Sequence, residues 1–357
     1  MHIFIISPGF QYQNSRALLT PLLLWEKKLK NYNYKIKIKS RILESYEGDI
    51  IAIDSKLYRN EWSYNENKIL EVFKKLRKNF NKIVYIDTAD SSGWIQSKLL
   101  PIVDKYWKFQ VLKDKKLYLK PHYDKRIFTD YYNKKYNIID EKQYYSSEIP
   151  NIKDLDKISV FWNSSMANYS KHAHILSLLY KKTKIKYFLK YRYKENQNFK
   201  IKKNNIFCRF NYSNYRNTIS FHRMQIKKKL SFNNNLDFSK INRTKYFEEL
   251  KRSKLTISPF GWGEVAYRDF ETFLNKTILI KPNMDHLHTW PNLYIDKQTY
   301  LSFDWSLNNL IETVENVLDN YDSYKGIANE GYYNYTKYTS SSELFEKRFN
   351  FLIKEII

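Results

Sequence analysis

Short apolar runs alternate along this chain with longer stretches whose apolar residues fall at helical spacing. That rhythm limits the fold more than any other feature, because strands separated by a helix cannot form a hairpin and must lie parallel, joined by crossovers. Residues 2–7 read as a strand closed by Ser7-Pro8-Gly9, and residues 16–29 as a helix carrying Leu18, Leu19, Leu22, Leu23, Trp25 and Leu29. Residues 49–54 and 82–87 read as further strands, with a basic amphipathic helix at 66–79 between them. The rhythm resumes with strands at 157–162, 186–189, 217–220 and 255–258 and helices at 172–182 and 246–253. Between the two series lies a tyrosine- and lysine-rich stretch, 131–152, with weak periodicity and Pro150 near its end, which reads as a linker. The expected division is 1–150, 151–340 and a final helical segment, 341–357.

Hydrophobic residues make up 43% and aromatics 17% of the 357 residues, too many for a disordered chain. No run approaches the roughly 20 apolar residues that span a bilayer, and the first residues lack the charged start of a secretory signal. A soluble, cytoplasmic chain is the expectation. The single cysteine, Cys208, excludes an intrachain disulfide framework and a cysteine-rich zinc site. Charge is the unusual quantity: 62 Lys and Arg against 37 Asp and Glu give +25. Such a field attracts nucleic acid, an acidic membrane surface, a phosphorylated substrate or an anionic glycan, and composition alone does not choose among them. The basic and aromatic stretch 181–203 fits either a polyanion surface or a solvated face.

The most informative segment runs from Leu255 to Asn283. It reads as a strand, the loop Ser258-Pro259-Phe260-Gly261-Trp262-Gly263-Glu264, a helix over 264–275 and a strand over 278–280. Only seven glycines occur in the chain, and Gly261 and Gly263 are two of them, placed where backbone must approach something closely. A glycine loop leading into a helix N-terminus suits a phosphate, because unpaired N–H groups and the positive end of the helix dipole point at it. Arg268 and Glu271 stand three apart on one helix face, where arginine can grip phosphate and glutamate can accept from sugar hydroxyls.

This pattern resembles the C-terminal, donor-binding half of GT-B glycosyltransferases, in particular exostosin-like and bacterial surface-polysaccharide enzymes. The resemblance implies an α/β fold of two Rossmann-like parallel-sheet domains facing a central cleft, with the closing helix crossing back to the first domain. It further implies a nucleotide sugar as co-substrate, no permanently bound cofactor, and no metal requirement. Carried over by position, Arg268 contacts the diphosphate and Glu271 the ribose, with Gly261, Gly263 and Glu264 in the donor loop. The family's acidic pair stands one residue further apart than Glu264 and Glu271, which is the departure from its pattern. Arg223 is a candidate second phosphate contact and His286 a candidate cleft residue. The His286-x-His288 spacing lacks a third metal ligand nearby.

The first half should then hold the acceptor, with a general base at a strand end. Asp87 and Asp90, in the small-residue loop after strand 82–87, are the candidates. The loop 7–10 faces the same cleft, and the lysine-rich stretch 113–126 suits an anionic acceptor or lipid headgroup and equally a solvated surface. The expected acceptor is a glycan or lipid-linked hydroxyl, with an anionic membrane surface as a further partner. Transfer to nucleic acid, and non-catalytic binding of an anionic polymer, are the alternatives.

Overall fold

The computed structural model describes residues 1–143, 151–191, 202–231 and 236–357. Twelve strands are present among them: β1 (His2–Ile6), β2 (Lys35–Lys39), β3 (Gly48–Asp54), β4 (Phe80–Asp87), β5 (Lys105–Lys108), β6 (Gln110–Leu112), β7 (Ile158–Val160), β8 (Asn204–Phe207), β9 (Ser253–Ile257), β10 (Ile278–Pro282), β11 (Leu287–Thr289) and β12 (Leu301–Phe303). Six form one parallel sheet in the order β2-β1-β3-β4-β5-β7. Ile3 to Ile6, Ile50 to Ile53 and Ile83 to Ile86 are buried, so the central strands read as unbroken apolar runs. At the edge, β2 alternates exposed Lys35, Lys37 and Lys39 with half-buried Ile36 and Ile38. A row of lysines on an open edge discourages pairing with another chain.

A second parallel sheet, β12-β10-β9-β8, carries Leu255, Ile257, Ile278, Ile280 and Phe303 in its own core. The protein is thus α/β with two Rossmann-like units, as the alternation and the resemblance lead one to expect. The units are stitched together by β6 of the first and β11 of the second, which pair antiparallel. The helix Ser342–Lys354 lies against the first unit: Phe345 packs on Trp25 and Trp162 at 5.1 and 4.9 Å, and Tyr34 donates to Asn350 Oδ1.

Several elements differ from the sequence reading. Residues 186–189 form one 3₁₀ turn (Lys186–Leu189) and not a strand. Residues 217–220 open the helix Asn217–Leu230. Its buried residues Thr218, Ile219, His222, Arg223, Ile226 and Leu230 follow helical spacing, and Asp140 caps it by accepting from Thr218 N at 2.9 Å. The strand at 157–162 joins the first sheet through β5. In the expected linker, 131–136 belong to the helix Ile127–Tyr136, which buries Phe128, Thr129 and Tyr132; 144–150 lie outside the described residues. The helix expected from 264 starts at Tyr267 (Tyr267–Leu274).

Candidate functional site

Parallel strands leave their carboxyl ends on one side, and the segments following β8 and β9 meet the first unit there. Between them is a cavity of about 630 Å³. Asp90 lines it from the first unit; Tyr215, Arg223, Arg243, Tyr246, Gly261, Trp262, Gly263, Tyr267, Arg268 and Glu271 line it from the second. Arg223, Lys240, Arg243 and Arg268 outnumber Asp90 and Glu271 in its wall, so the space is electropositive.

Arg223 and Arg268 come from different helices and converge here. Arg223 is buried, with its Nη1 donating to Phe260 O at 2.5 Å and its Nε donating to Asn211 O. Burial, and then the neighbouring Arg268, hold its pKa below the usual arginine value. Arg268 donates from Nη2 to Arg209 O at 2.9 Å, whereas its buried Nε has no hydrogen-bond partner among the described residues. Two guanidinium groups without a carboxylate between them, one with an unsatisfied donor, are a demand for an anion. Arg268 and Glu271 line the cavity together, and Arg223 lines it with them.

Glu271 accepts from Tyr246 Oη at 2.8 Å, and Arg243 Nη1 stands 3.6 Å from its other oxygen. Burial pushes its carboxyl above the ordinary value. The helix N-terminus itself is partly answered from within: the Asp269 carboxylate accepts from Ala266 N at 3.0 Å, from Ser258 Oγ and from Tyr294 Oη, with buried Lys281 3.2 Å away. The guanidinium groups, more than the dipole, give the cavity its sign.

Glu264 and His286 are placed elsewhere than the donor reading supposed. Glu264 is fully buried and absent from the cavity wall; its carboxylate accepts from Ser92 N at 3.2 Å and from Ser92 Oγ, with His286 Nε2 3.8 Å away. Burial pushes this carboxyl up, yet His286 and Ser92 together pull it below the ordinary value. His286 packs edge-on against Trp305 at 4.9 Å. These side chains lock the second unit to the first. Gly263 serves the same contact, since a Cβ there would fall 2.0 Å from Asp90 O; close backbone approach, and not a ligand, requires glycine at this position. Both Gly261 and Gly263 line the cavity.

Of the two acids proposed as base, the structure separates them. Asp87 is 1% exposed, accepts from Tyr106 Oη at 2.9 Å and Ala89 N at 2.9 Å, and pairs with buried Lys108 at 2.7 Å. A substrate hydroxyl cannot reach it, which corrects its assignment as a catalytic group. Asp90 is exposed at the cavity, and one of its oxygens accepts from Asn14 Nδ2 at 2.8 Å. Asn14 in turn accepts from Tyr267 Oη at 2.8 Å, so a hydrogen-bonded bridge spans the cleft from helix Tyr267–Leu274 to Asp90.

Asn14, Arg243, Tyr246 and the Tyr215–Trp262 pair, with rings 5.3 Å apart, were not singled out from the sequence. Their signal was positional: a helix linking parallel strands begins on the carboxyl side, and Arg243 and Asn14 stand at such starts, in Arg243–Arg252 and Gln13–Leu24. In the lysine-rich 113–126, Arg126 is held by Asp124 at 2.6 Å and Trp262 O at 2.8 Å. Lys202, in the basic stretch, is turned inward onto Lys251 O, Asn275 O and Thr277 Oγ1; residues 192–201 of that stretch lie outside the described residues. Among the described residues no cluster of three His, Cys, Asp or Glu is placed to hold a metal ion, and His288 points outward from β11.

No protein-family model matches the chain, and no curated protein matches it in sequence. Among solved structures it is similar to Anabaena Alr3699/HepE in complex with UDP and glucose, at 9% identity and a TM-score of 0.46 over 99% of each chain. It is also similar to a glycosyltransferase from Rickettsia africae ESF-5, at 12% identity and a TM-score of 0.47 over 99% of this chain and 98% of that one.

Proposed function

We propose that this chain is a glycosyltransferase that moves a sugar from a nucleotide-sugar donor to a hydroxyl of a glycan or lipid-linked acceptor. The observation that carries the reading is the pair Arg223 and Arg268, neither of them ion-paired among the described residues, converging on a cavity at the carboxyl ends of β8 and β9, opposite Asp90 of the other unit. The diphosphate lies against the two guanidinium groups, and Glu271 accepts from the ribose hydroxyls. Asp90 takes the proton of the acceptor hydroxyl as its oxygen bonds to the anomeric carbon. The bond from that carbon to the phosphate oxygen breaks, and the arginines stabilise the charge that develops on the departing nucleotide. Fixed guanidinium groups supply the positive charge at the leaving group, so turnover is expected to persist in EDTA.

A thermal-shift panel of UDP, GDP, ADP, CMP and dTDP tests the reading. Ligand binding to the native state alone raises stability by about 2.7 kcal/mol at a hundredfold excess over Kd. One nucleotide is expected to raise the melting temperature of the wild type and not that of Arg268→Ala. Absence of any shift at millimolar nucleotide would overturn the proposal.

A further inference from the structure

The helix Ala173–Thr183 is packed inside out. It buries Ala173, Ser177 and Tyr180, one narrow stripe, and leaves Ile175 (56% exposed), Leu178 (44%) and Leu179 (37%) in solvent on the opposite face. A surface helix of a globular protein normally does the reverse. The next turn adds Ile185 at 51% exposure. The sequence through this helix and its flanks carries Lys171, Lys181, Lys182, Lys184, Lys186 and Lys190, and residues 168–191 contain no Asp or Glu. Acids from neighbouring elements answer only part of this charge: Glu26 pairs with Lys186 and Glu248 lies 4.0 Å from Lys171.

We infer that this face docks the protein on an anionic lipid bilayer. Aliphatic side chains on one face, bordered by lysines, are what a helix lying in the plane of a membrane interface presents: the apolar residues enter the acyl boundary and the lysines meet anionic headgroups. Nucleic acid would use the lysines and gain nothing from Ile175, Leu178 and Leu179. A second copy of the chain would bury the apolar residues only by setting lysine against lysine. Among the described residues no helix is long and apolar enough to cross a membrane, and an eleven-residue helix fits on the surface.

The location gives the surface a purpose. Arg243, in the cavity wall, donates to Lys171 O at 2.8 Å and to Ser170 O at 3.0 Å, immediately before the helix. Docking through Ile175, Leu178 and Leu179 therefore sets a segment that touches the cavity wall beside the lipid surface. Resting on the transferase reading above, this selects a lipid-linked acceptor over a soluble glycan.

The test is sedimentation of the full chain with vesicles of phosphatidylcholine, with and without phosphatidylglycerol. The wild type should bind the anionic vesicles and not the neutral ones. Ile175→Ser, Leu178→Ser and Leu179→Ser combined should lower partitioning by about tenfold or more while leaving the melting temperature and the nucleotide-induced shift unchanged. Lys181→Glu with Lys182→Glu should weaken binding to the anionic vesicles, an effect that a purely apolar contact would not show. Equal sedimentation of the serine variant and the wild type would overturn the proposal. So would retention of the wild type on heparin without vesicle binding, or a wild-type dimer in ultracentrifugation that the serine variant abolishes while neither binds vesicles. Vesicle binding without any nucleotide shift would leave the docking surface standing and remove the transferase reading.

Discussion

Replacing Gly263 with alanine places a single methyl at the tightest contact between the two units. The new Cβ would lie 2.0 Å from Asp90 O, 2.6 Å from its carbonyl carbon and 2.9 Å from its Cβ, where ordinary contact begins at 3.4 Å. The two loops must part by about 1.4 Å, and close-packed surroundings offer little slack. Asp90 is tied through its carbonyl to Gln110 Nε2 and through its carboxylate to Asn14; beyond Gly263, Glu264 is tied to Ser92. Overpacking of this kind costs about 1–3 kcal/mol, or about 1–4 °C of melting temperature for a chain this long. Asp90 is the proposed base, and moving it by more than an ångström should cost about a hundredfold in turnover. Nucleotide affinity should change far less, because Arg223, Arg268 and Glu271 all belong to the second unit.

The assay is release of nucleoside diphosphate from the donor that the thermal-shift panel identifies, alongside melting curves. Gly261→Ala is the control: its Cβ would meet Arg223 Nη1 at 3.6 Å and Tyr215 Oη at 3.8 Å, ordinary contacts, so stability should hold. If Gly263→Ala melted with the wild type and turned over at the wild-type rate, the contact and the placement of Asp90 across the cleft would both be refuted.

Asp90→Asn should lower turnover by about 10²–10⁴ with no loss of stability, measured by the same release assay and by melting. Asp87→Ala should instead destabilise by about 3–5 kcal/mol in denaturant unfolding, because it leaves Lys108 unpaired in the core; an inactive but fully stable Asp87→Ala would restore Asp87 as a catalytic candidate. Glu264 has a folded-state pKa below its ordinary value, so its contribution is complete above the unfolded carboxylate range and is lost as pH falls through the folded value. The melting-temperature gap between wild type and Glu264→Gln should therefore be widest near neutrality and close on acidification; a gap independent of pH would contradict the His286 and Ser92 account.

How much of this was legible in the sequence depended on whether the deciding contacts were local. Strands at 2–7, 49–54, 82–87, 255–258 and 278–280 declare themselves because both faces of a parallel sheet are buried and their side chains must all be apolar. Residues 217–220 misled because Ile219 and Phe221 alternate with polar residues over too short a window. What makes that segment a helix is a cap from Asp140, far away in sequence, and a buried stripe that continues to Leu230. The same holds in the site. Arg268 and Glu271 were readable because a helix turn brings them together by itself. Asp90 could be told from Asp87 only in three dimensions, since both follow one strand in one loop. The chain turns Asp87 inward because Lys108 on the adjacent strand needs a partner, and it leaves Asp90 outward because Gly263 must lie against its backbone. The exposed face of Ala173–Thr183 was hidden for a related reason: the apolar spacing announces a helix, but which side meets the core is settled by what Ala173, Ser177 and Tyr180 pack against, Phe10 among them. An apolar stripe marks a helix, and only packing shows whether that stripe serves the fold or a partner.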